Sequence, residues 1–239
     1  MHGTSSSALV WEDAAKELSN RGRCVVYDRR GCFRSERPEP YETTDVTDHA
    51  DDAAALLDAL SATPAVVIGR SYGGETALDL ARRFPEKVKA LALLEPAILT
   101  IDPGGKAWLD SLRQKVLQAG ANDASSVAEV FLREVVGDEV WESFPRELKD
   151  MFIGNGPAIL AELRGQELEL SMEELAEIDQ STLIVSAKGS PEDFRRADSI
   201  PAENLPNCEE VRVEGGHFIS PANPAVLAFV DRFVTLAAS

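Results

Sequence analysis

Short apolar runs separated by stretches of helical spacing make up most of the hydrophobic pattern of this chain. The apolar runs predict β-strands at 23–27, 65–68, 89–94, 181–186 and 209–213. Apolar residues recur at three- and four-residue spacing in segments that predict helices at 45–61, 72–84 and 224–237. Because strands alternate with helices, we expect crossover connections and a mostly parallel, doubly wound sheet of the α/β class.

Residues 103–180 break this alternation. Helical patterns follow one another at 106–119, 125–136, 138–152 and 156–168, without a strong strand pattern between them. We therefore predict a helical cap at 103–180, inserted into a core formed by 1–102 and 181–239. Candidates for the lining of a substrate pocket are Trp108, Phe131 and Trp141 of the cap and Phe218 of the core, although packing between helices also explains such aromatic positions.

The composition narrows the range of functions. The formal charge of the 239 residues is -17 and aromatic residues make up 6%, so a nucleic-acid partner is not expected. The sequence has no apolar run of the roughly 20 residues that a membrane span needs and no signal-peptide pattern, which favours a cytoplasmic protein without a membrane partner. Cys24, Cys32 and Cys208 lack metal-ligand spacing, so we expect reduced thiols and no metal site.

A serine stands between the apolar run 65–68 and the helical segment that follows it. The chain reads Gly69-Arg70-Ser71-Tyr72-Gly73-Gly74, which is a G-x-S-x-G pattern between a strand and a helix. The glycines leave room for a tight turn that holds the hydroxyl at the carboxyl end of the strand, near the positive end of the helix. This context predicts a nucleophile at Ser71, with an ordinary strand–helix connection as the alternative.

A nucleophilic serine needs a base, and the chain has three histidines. His217 follows the last apolar run, after two glycines, so it should emerge at the same edge of the sheet as Ser71. His49 lies beside aspartates in the helical segment 45–61, where we expect a surface residue. His217 is therefore the predicted general base, with a buried structural histidine as the alternative.

Together these motifs resemble those of the α/β-hydrolase superfamily. Residues 69–74 are similar to its nucleophile elbow, 216–218 to its histidine loop, 2–3 to its oxyanion loop, and 28–35 to its D-x-R-G-x-G-x-S segment, with Phe33 in place of the second glycine. The resemblance implies an α/β-hydrolase fold and a serine–histidine–acid triad that works without a cofactor. It also implies an oxyanion hole formed by the backbone N–H groups of Tyr72 and Thr4.

The acid of the triad has two candidates. Many members of the superfamily carry it after the strand that matches 182–186, where this chain has Ser190 and, close by, Asp193. Haloalkane dehalogenases carry it at the end of the preceding strand, and Glu95 occupies that position here. A carboxylate at the end of a buried run needs a partner such as an imidazolium. We therefore favour Glu95, with Asp193 as the alternative; Glu95 as a cap of the loop is a further possibility.

The amino terminus departs from the pattern of the superfamily. There, the His-Gly pair follows a central strand, and further strands precede it, whereas this sequence begins at Met1-His2-Gly3. A gap in the middle of the sheet would leave buried backbone groups unpaired. We expect a truncated chain, a changed strand order, or a strand donated by another chain, which makes a homo-oligomer one of the predictions.

The predicted function is hydrolysis of a small, largely apolar ester or lactone through an acyl-enzyme on the serine. The same constellation also serves C–C bond hydrolases and cofactor-free haloperoxidase-like enzymes. A ligand-binding or receptor-like protein that keeps the fold with little turnover is the alternative from a different class. The expected partner is a small-molecule substrate.

Overall fold

The computed structural model describes residues 1–234. In that part of the chain, four strands form one parallel sheet in the order β1-β2-β3-β4, with bounds Ala65–Arg70, Val88–Leu94, Ser181–Ala187 and Cys208–Val213. Helices lie between consecutive strands, as crossover connections between parallel neighbours require. The predicted α/β class and these four strands are confirmed.

Helices flank the sheet and fill the long segment between β2 and β3. Their bounds, from α1 to α11, are Glu12–Ser19, Val46–Ala59, Tyr72–Arg83, Pro103–Asn122, Val127–Val136, Asp138–Ser143, Arg146–Gly154, Gly156–Arg164, Met172–Ala176, Glu192–Asn204 and Pro224–Asp231. Buried residues of α4 to α8 form a hydrophobic cluster of their own, centred on side chains such as Val116, Phe131 and Phe152. Within residues 1–234, every helix is too short or too polar for a bilayer span.

Strand β2 shows why a run that is apolar at nearly every position predicts a central strand. Leu91 and Leu93 pack on one face of the sheet, in a cluster with residues of α2 and α3. Ala92 and Leu94 pack on the other face, in a cluster that includes Phe229 of α11. Side chains alternate between the faces of a strand, so a strand that is covered on both faces must be apolar throughout.

The insertion begins at a well-defined helix start. The side chain of Asp102 accepts a hydrogen bond from the Gly105 N–H at 2.8 Å, and Pro103 occupies the first turn of α4. An aspartate at the N-cap and a proline in the first turn both favour the beginning of a helix, since they satisfy or remove N–H groups without partners. The cap boundaries predicted from the sequence, 103 and 180, stay predictions.

The strand predicted at 23–27 is wrong. Within the described residues this segment has no ladder partner, and Val25 and Val26 are 39% and 36% exposed. A cavity of about 470 Å³ is lined by this segment on one side and by β1 on the other. Strand formation needs a neighbour that supplies backbone hydrogen bonds, and apolar character alone does not provide one. Met1 lies beside the end of β1, where its amino group donates to the Ile68 carbonyl and its carbonyl accepts the Arg70 N–H at 3.1 Å.

Some helix predictions also need correction. The helix predicted at 138–152 is two helices, α6 and α7, which are separated at Pro145. Phe144 has ψ 136°, because the residue before a proline is disfavoured from helical geometry. Helices α1, α9 and α10 were not predicted. The last predicted helix, 224–237, is α11 at Pro224–Asp231, and its positions 235–237 lie outside the described residues.

Candidate active site

Ser71 lies in a strained turn between β1 and α3. Its backbone has φ 56° and ψ -128°, a conformation that side-chain-bearing residues rarely adopt. The Ser71 N–H donates to the Leu94 carbonyl at 3.0 Å, and the Ser71 carbonyl accepts the N–H groups of Gly74 and Glu75 at 2.7 and 3.1 Å. These bonds hold the serine at the carboxyl edge of the sheet, where its side chain lines a cavity.

The two glycines of the G-x-S-x-G pattern are required by close approaches of the backbone. A Cβ atom on Gly69 would lie 2.2 Å from the Gly73 carbonyl oxygen, and one on Gly73 would lie 2.4 Å from the His2 carbonyl oxygen. Both distances are shorter than any tolerated contact. The turn that presents Ser71 therefore depends on the absence of side chains at both positions.

His217 and Glu95 form a buried pair beside this turn. The His217 Nδ1 and Glu95 Oε2 atoms are 2.7 Å apart, and Glu95 is fully buried. The same carboxylate accepts the Ala187 N–H at 2.7 Å through Oε1 and the Ser190 hydroxyl at 2.8 Å through Oε2. Glu95 also has a positive φ of 45°, so the loop after β2 is shaped to aim this side chain.

Asp193, the alternative acid, lies elsewhere. It forms an ion pair with Arg196 one turn later on α10, and its side chain is 30% exposed. Ser190, at the position where the resemblance suggested an aspartate, donates its hydroxyl to Glu95. The structure thus brings Glu95, and not Asp193, to the imidazole.

No hydrogen bond joins Ser71 to His217 within residues 1–234. Within residues 1–234, neither the Ser71 hydroxyl nor the His217 Nε2 atom has a hydrogen-bond partner. The Phe194 ring, which lines the cavity beside Ser71, packs against the His217 ring with a centroid distance of 4.9 Å. Hydrogen bonds between catalytic groups are often long without a bound substrate, so this geometry is compatible with proton transfer after substrate binds.

The predicted oxyanion donors lie beside the serine. Among the hydrogen bonds of the described residues, none uses the N–H of Thr4 or Tyr72, so both remain available to a ligand. Both residues line the same cavity as Ser71. The Arg29 N–H donates to His2 Nε2 at 2.9 Å, and Arg29 Nε donates to the His2 carbonyl at 3.0 Å, which anchors the loop before Thr4.

The cavity above Ser71 has a volume of about 70 Å³. Trp108 and Phe131 of the cap line it, as the sequence predicted. Trp141 is buried among the cap helices, with an edge-to-face contact to Phe144. Phe218 packs against Phe144 and lies under the Arg70 guanidinium at 4.9 Å. The structure therefore brings Trp108 and Phe131 to the cavity, whereas Trp141 and Phe218 do not line it.

A buried ionic cluster joins the cap to this site, and the sequence analysis missed it. Glu162 of α8 pairs with Arg29 at 2.8 Å and accepts the Thr4 hydroxyl at 2.6 Å. The expected surface position of His49 is wrong, because its side chain is 1% exposed and lies 3.7 Å from Glu162. Burial, and then the positive charge of Arg29, lowers the pKa of His49, which stays neutral beside Tyr72.

Asp198 of α10 is a buried carboxyl group near the His217–Glu95 pair. Neither of its oxygens has a hydrogen-bond partner among the described residues. Burial raises its pKa well above the ordinary value, the negative charges of Glu95 and Glu210 add to the rise, and Arg212 opposes it.

We expect Asp198→Asn to stabilise the protein increasingly as the pH rises. The wild-type carboxyl keeps its proton in the native state and loses it on unfolding, so native stability falls as the pH rises above about 4. Asparagine has no proton to lose, so the gain in the free energy of unfolding should grow by about 1.4 kcal/mol per pH unit until the native carboxyl ionises. Chemical denaturation at pH 4, 6 and 8 measures this slope. Glu203→Gln, at an exposed position of α10, is the control, and a gain that does not vary with pH would contradict the assignment.

The family model of the alpha/beta hydrolase fold matches residues 1–224. The chain belongs to the α/β-hydrolase family. This α/β hydrolase is 25% identical over 238 residues to RutD of Azorhizobium caulinodans, which is named as a carbamate hydrolase, and the alignment covers 94% of this chain and 85% of RutD. It is 37% identical over 106 residues to the hydrolase YraK of Bacillus subtilis, across 44% of this chain and 39% of YraK. In two further curated relatives the matched segment covers 34% and 43% of the relative's length. The chain thus spans less than half the length of YraK and of these two relatives.

Solved structures show the same fold as this α/β hydrolase. Est816, described as an N-acyl homoserine lactone degrading enzyme, superposes with a TM-score of 0.73 at 22% identity, over 98% of this chain and 90% of its own. The carboxylesterase CesB of Bacillus subtilis superposes with a TM-score of 0.69 at 19% identity, over 98% of this chain and 80% of its own. At these identities the likeness establishes the fold.

Proposed function

We propose that this α/β hydrolase cleaves small carboxylic esters or lactones through an acyl-enzyme on Ser71. The observation that carries the proposal is the strained turn at Ser71, at the same edge of the sheet as the buried His217–Glu95 pair. Neither element is needed for a stable α/β sheet. A strained serine and a buried carboxylate both cost free energy, and nucleophilic catalysis explains why they occur together.

The proposed reaction starts when the Ser71 hydroxyl oxygen attacks the acyl carbon. His217 Nε2 takes the hydroxyl proton, while Nδ1–H donates to Glu95 and thereby fixes the tautomer that leaves Nε2 free. The Glu95 carboxylate stabilises the imidazolium that forms, and the Ser190 and Ala187 donors keep that carboxylate in place.

Negative charge then develops on the former carbonyl oxygen of the substrate. The N–H groups of Tyr72 and Thr4 are the donors proposed to receive it, since both are free and line the cavity. The imidazolium returns its proton to the leaving alcohol as the C–O bond breaks. A water molecule, activated by the same imidazole, subsequently hydrolyses the acyl-enzyme and regenerates the serine.

The cavity supports a small acyl group. Its 70 Å³ correspond to roughly five water positions, which suits a chain of a few carbons better than a fatty acyl chain. The names of the relatives are consistent with acyl chemistry, because RutD is named for carbamates, Est816 for a lactone and CesB for carboxylic esters. Each of these reactions passes through attack on a carbonyl carbon.

A chain-length series of p-nitrophenyl esters tests this proposal. We expect kcat/KM for the butanoate to exceed that for the decanoate by at least about tenfold. A methylene group that does not fit in the cavity stays exposed to water and contributes no favourable free energy of burial. The acetate and the butanoate should both be turned over. Equal values along the series, or a preference for the decanoate, would contradict the small acyl site. An absence of turnover with every ester would favour the ligand-binding alternative.

The remaining sequence-based alternatives are addressed by other substrates. C–C bond hydrolysis and haloperoxidase-like chemistry each require their own substrate in the same panel. The homo-oligomer, which sedimentation velocity measures directly, and the cytoplasmic location stay predictions.

A further inference from the structure

One carboxyl group in the cavity has no partner within residues 1–234. Glu75 lines the cavity with Ser71, is 6% exposed, and forms neither a hydrogen bond nor an ion pair through its side chain. It lies in the first turn of α3, among residues of that helix that are otherwise buried between the sheet and α2. A carboxyl group in this position costs free energy unless something binds to it.

The other acidic side chains of the cavity wall are already paired. Glu162 binds Arg29 and the Thr4 hydroxyl, and Glu167 binds Lys106 at 3.0 Å and also Arg113. Glu75 is therefore the acidic group of the wall that remains open to a ligand. Burial raises its pKa well above the ordinary value, and the nearby carboxylates of Glu167 and Asp79 add to the rise.

The position of Glu75 relative to the nucleophile defines where the ligand group lies. Glu75 follows Ser71 by four residues, and its N–H donates to the Ser71 carbonyl at 3.1 Å. Both residues line the same cavity of about 70 Å³, which holds only a few non-hydrogen atoms. An acyl chain on Ser71 that fills this cavity would therefore bring an atom a few bonds beyond the carbonyl carbon to the Glu75 carboxyl group.

We propose that Glu75 binds an N–H group on the acyl part of the substrate, three bonds from the carbonyl carbon. This inference rests on the proposed function and names its substrate class as esters or lactones of β-amino or β-amido acids. An ammonium group would pair with the ionised carboxylate and give the cavity the cation that its wall lacks at this point. An amide would donate its N–H to the carboxyl oxygen and accept the acid proton at its carbonyl.

Two pairs of p-nitrophenyl esters distinguish an ammonium group from an amide as the ligand of Glu75. The β-alanyl ester carries an ammonium group where the butanoyl ester carries a methyl group. The N-acetyl-β-alanyl ester carries an amide N–H where the 5-oxohexanoyl ester carries a methylene. For wild-type protein we expect kcat/KM to favour the N–H member of at least one pair by tenfold or more, after subtraction of the rate measured with Ser71→Ala.

Substitutions at Glu75 assign that preference to the side chain. Glu75→Leu should abolish it in both pairs. Glu75→Gln keeps the shape and an acceptor oxygen, so it should weaken a preference for the ammonium group more than one for the amide. A circular-dichroism melting curve shows whether the leucine variant folds. If it does not, loss of the preference for the β-alanyl ester in Glu75→Gln is the result that tests binding of the ammonium group. Glu169→Gln, an exposed change of the same charge, should retain the wild-type preference.

Two results would overturn the inference. One is the lack of a tenfold preference in either pair, and the other is a preference that survives in Glu75→Leu. Its failure can be told apart from failure of the proposed function. If Ser71→Ala abolishes hydrolysis of the butanoyl ester while the preferences do not depend on Glu75, only the assignment of Glu75 fails. If Ser71→Ala hydrolyses that ester at the wild-type rate, the proposed function fails.

Discussion

Ser71→Ala is expected to lower kcat for p-nitrophenyl butanoate by roughly 10⁴-fold or more. The substitution removes the atom that is proposed to form the acyl-enzyme, and a water molecule in its place lacks the fixed position next to the carbonyl carbon. The oxyanion donors and the cavity stay intact, so the residual rate should remain above that of the uncatalysed reaction. Initial rates from stopped-flow and steady-state assays, at matched protein concentrations, measure the loss.

Ser143→Ala provides the matched control for this experiment. Ser143 is the exposed last residue of α6 and lies outside the cavity wall, so its loss should leave turnover within about twofold. Because φ is positive at position 71, alanine there is as strained as serine, and the melting temperature should change little. Wild-type turnover by a folded Ser71→Ala protein would remove the serine from the mechanism.

Glu95→Gln is expected to lower kcat by roughly 10³–10⁴-fold, the second-largest effect. Glutamine has nearly the same shape, but its amide group can donate to Nδ1 and so favours the tautomer that places the proton on Nε2. The imidazole would then have no free nitrogen to accept the Ser71 proton. The carboxylate that stabilises the imidazolium would also be missing. The measurement is kcat with p-nitrophenyl butanoate, together with the melting temperature.

Asp193→Asn distinguishes the two candidate acids in the same assay. Asp193 pairs with Arg196 near the surface, so its loss should change kcat by no more than about twofold. A large loss in Asp193→Asn with an active Glu95→Gln protein would reverse the assignment. It would also mean that the loop after β3 rearranges when substrate binds.

Local apolar patterns were sufficient for the central strands but not for 23–27. The runs that became β1 to β4 each pair with a neighbouring strand, and the apolar sequences of β2 and β3 reflect their burial. Residues 23–27 have a similar local pattern, yet they lie across a cavity from β1 and have no ladder partner within residues 1–234. Pairing is a non-local property, so a single apolar run predicts burial more reliably than it predicts a ladder.

The site shows a similar division between local and non-local information. The turn at Ser71 follows from adjacent glycines, whose close contacts a sequence motif already encodes. Glu95 was predicted from its place after an apolar run, and the structure shows it next to His217. The burial of His49 depends on Glu162, more than one hundred residues later, and could not be read from the charges that flank it in the sequence.

Glu75 and Glu162 share a feature that can be recognised in a helical sequence pattern. Each is an acidic residue in a helix segment whose neighbours are almost all buried. A charge at a core-facing helical position is costly, so it indicates either an ionic partner or a ligand. Glu162 has such a partner in Arg29, whereas Glu75 has none within the described residues, and this difference is the basis of the recognition role proposed for Glu75.

Fluorophosphonate labelling followed by peptide mass spectrometry tests the central claim most directly. The reagent forms a covalent bond only with a serine whose hydroxyl is activated by a base next to an oxyanion hole. We predict one adduct, on the peptide that contains Ser71, with strongly reduced labelling in a His217→Ala protein. An unlabelled wild-type protein with a native circular-dichroism spectrum, or an adduct on a different serine, would contradict the account.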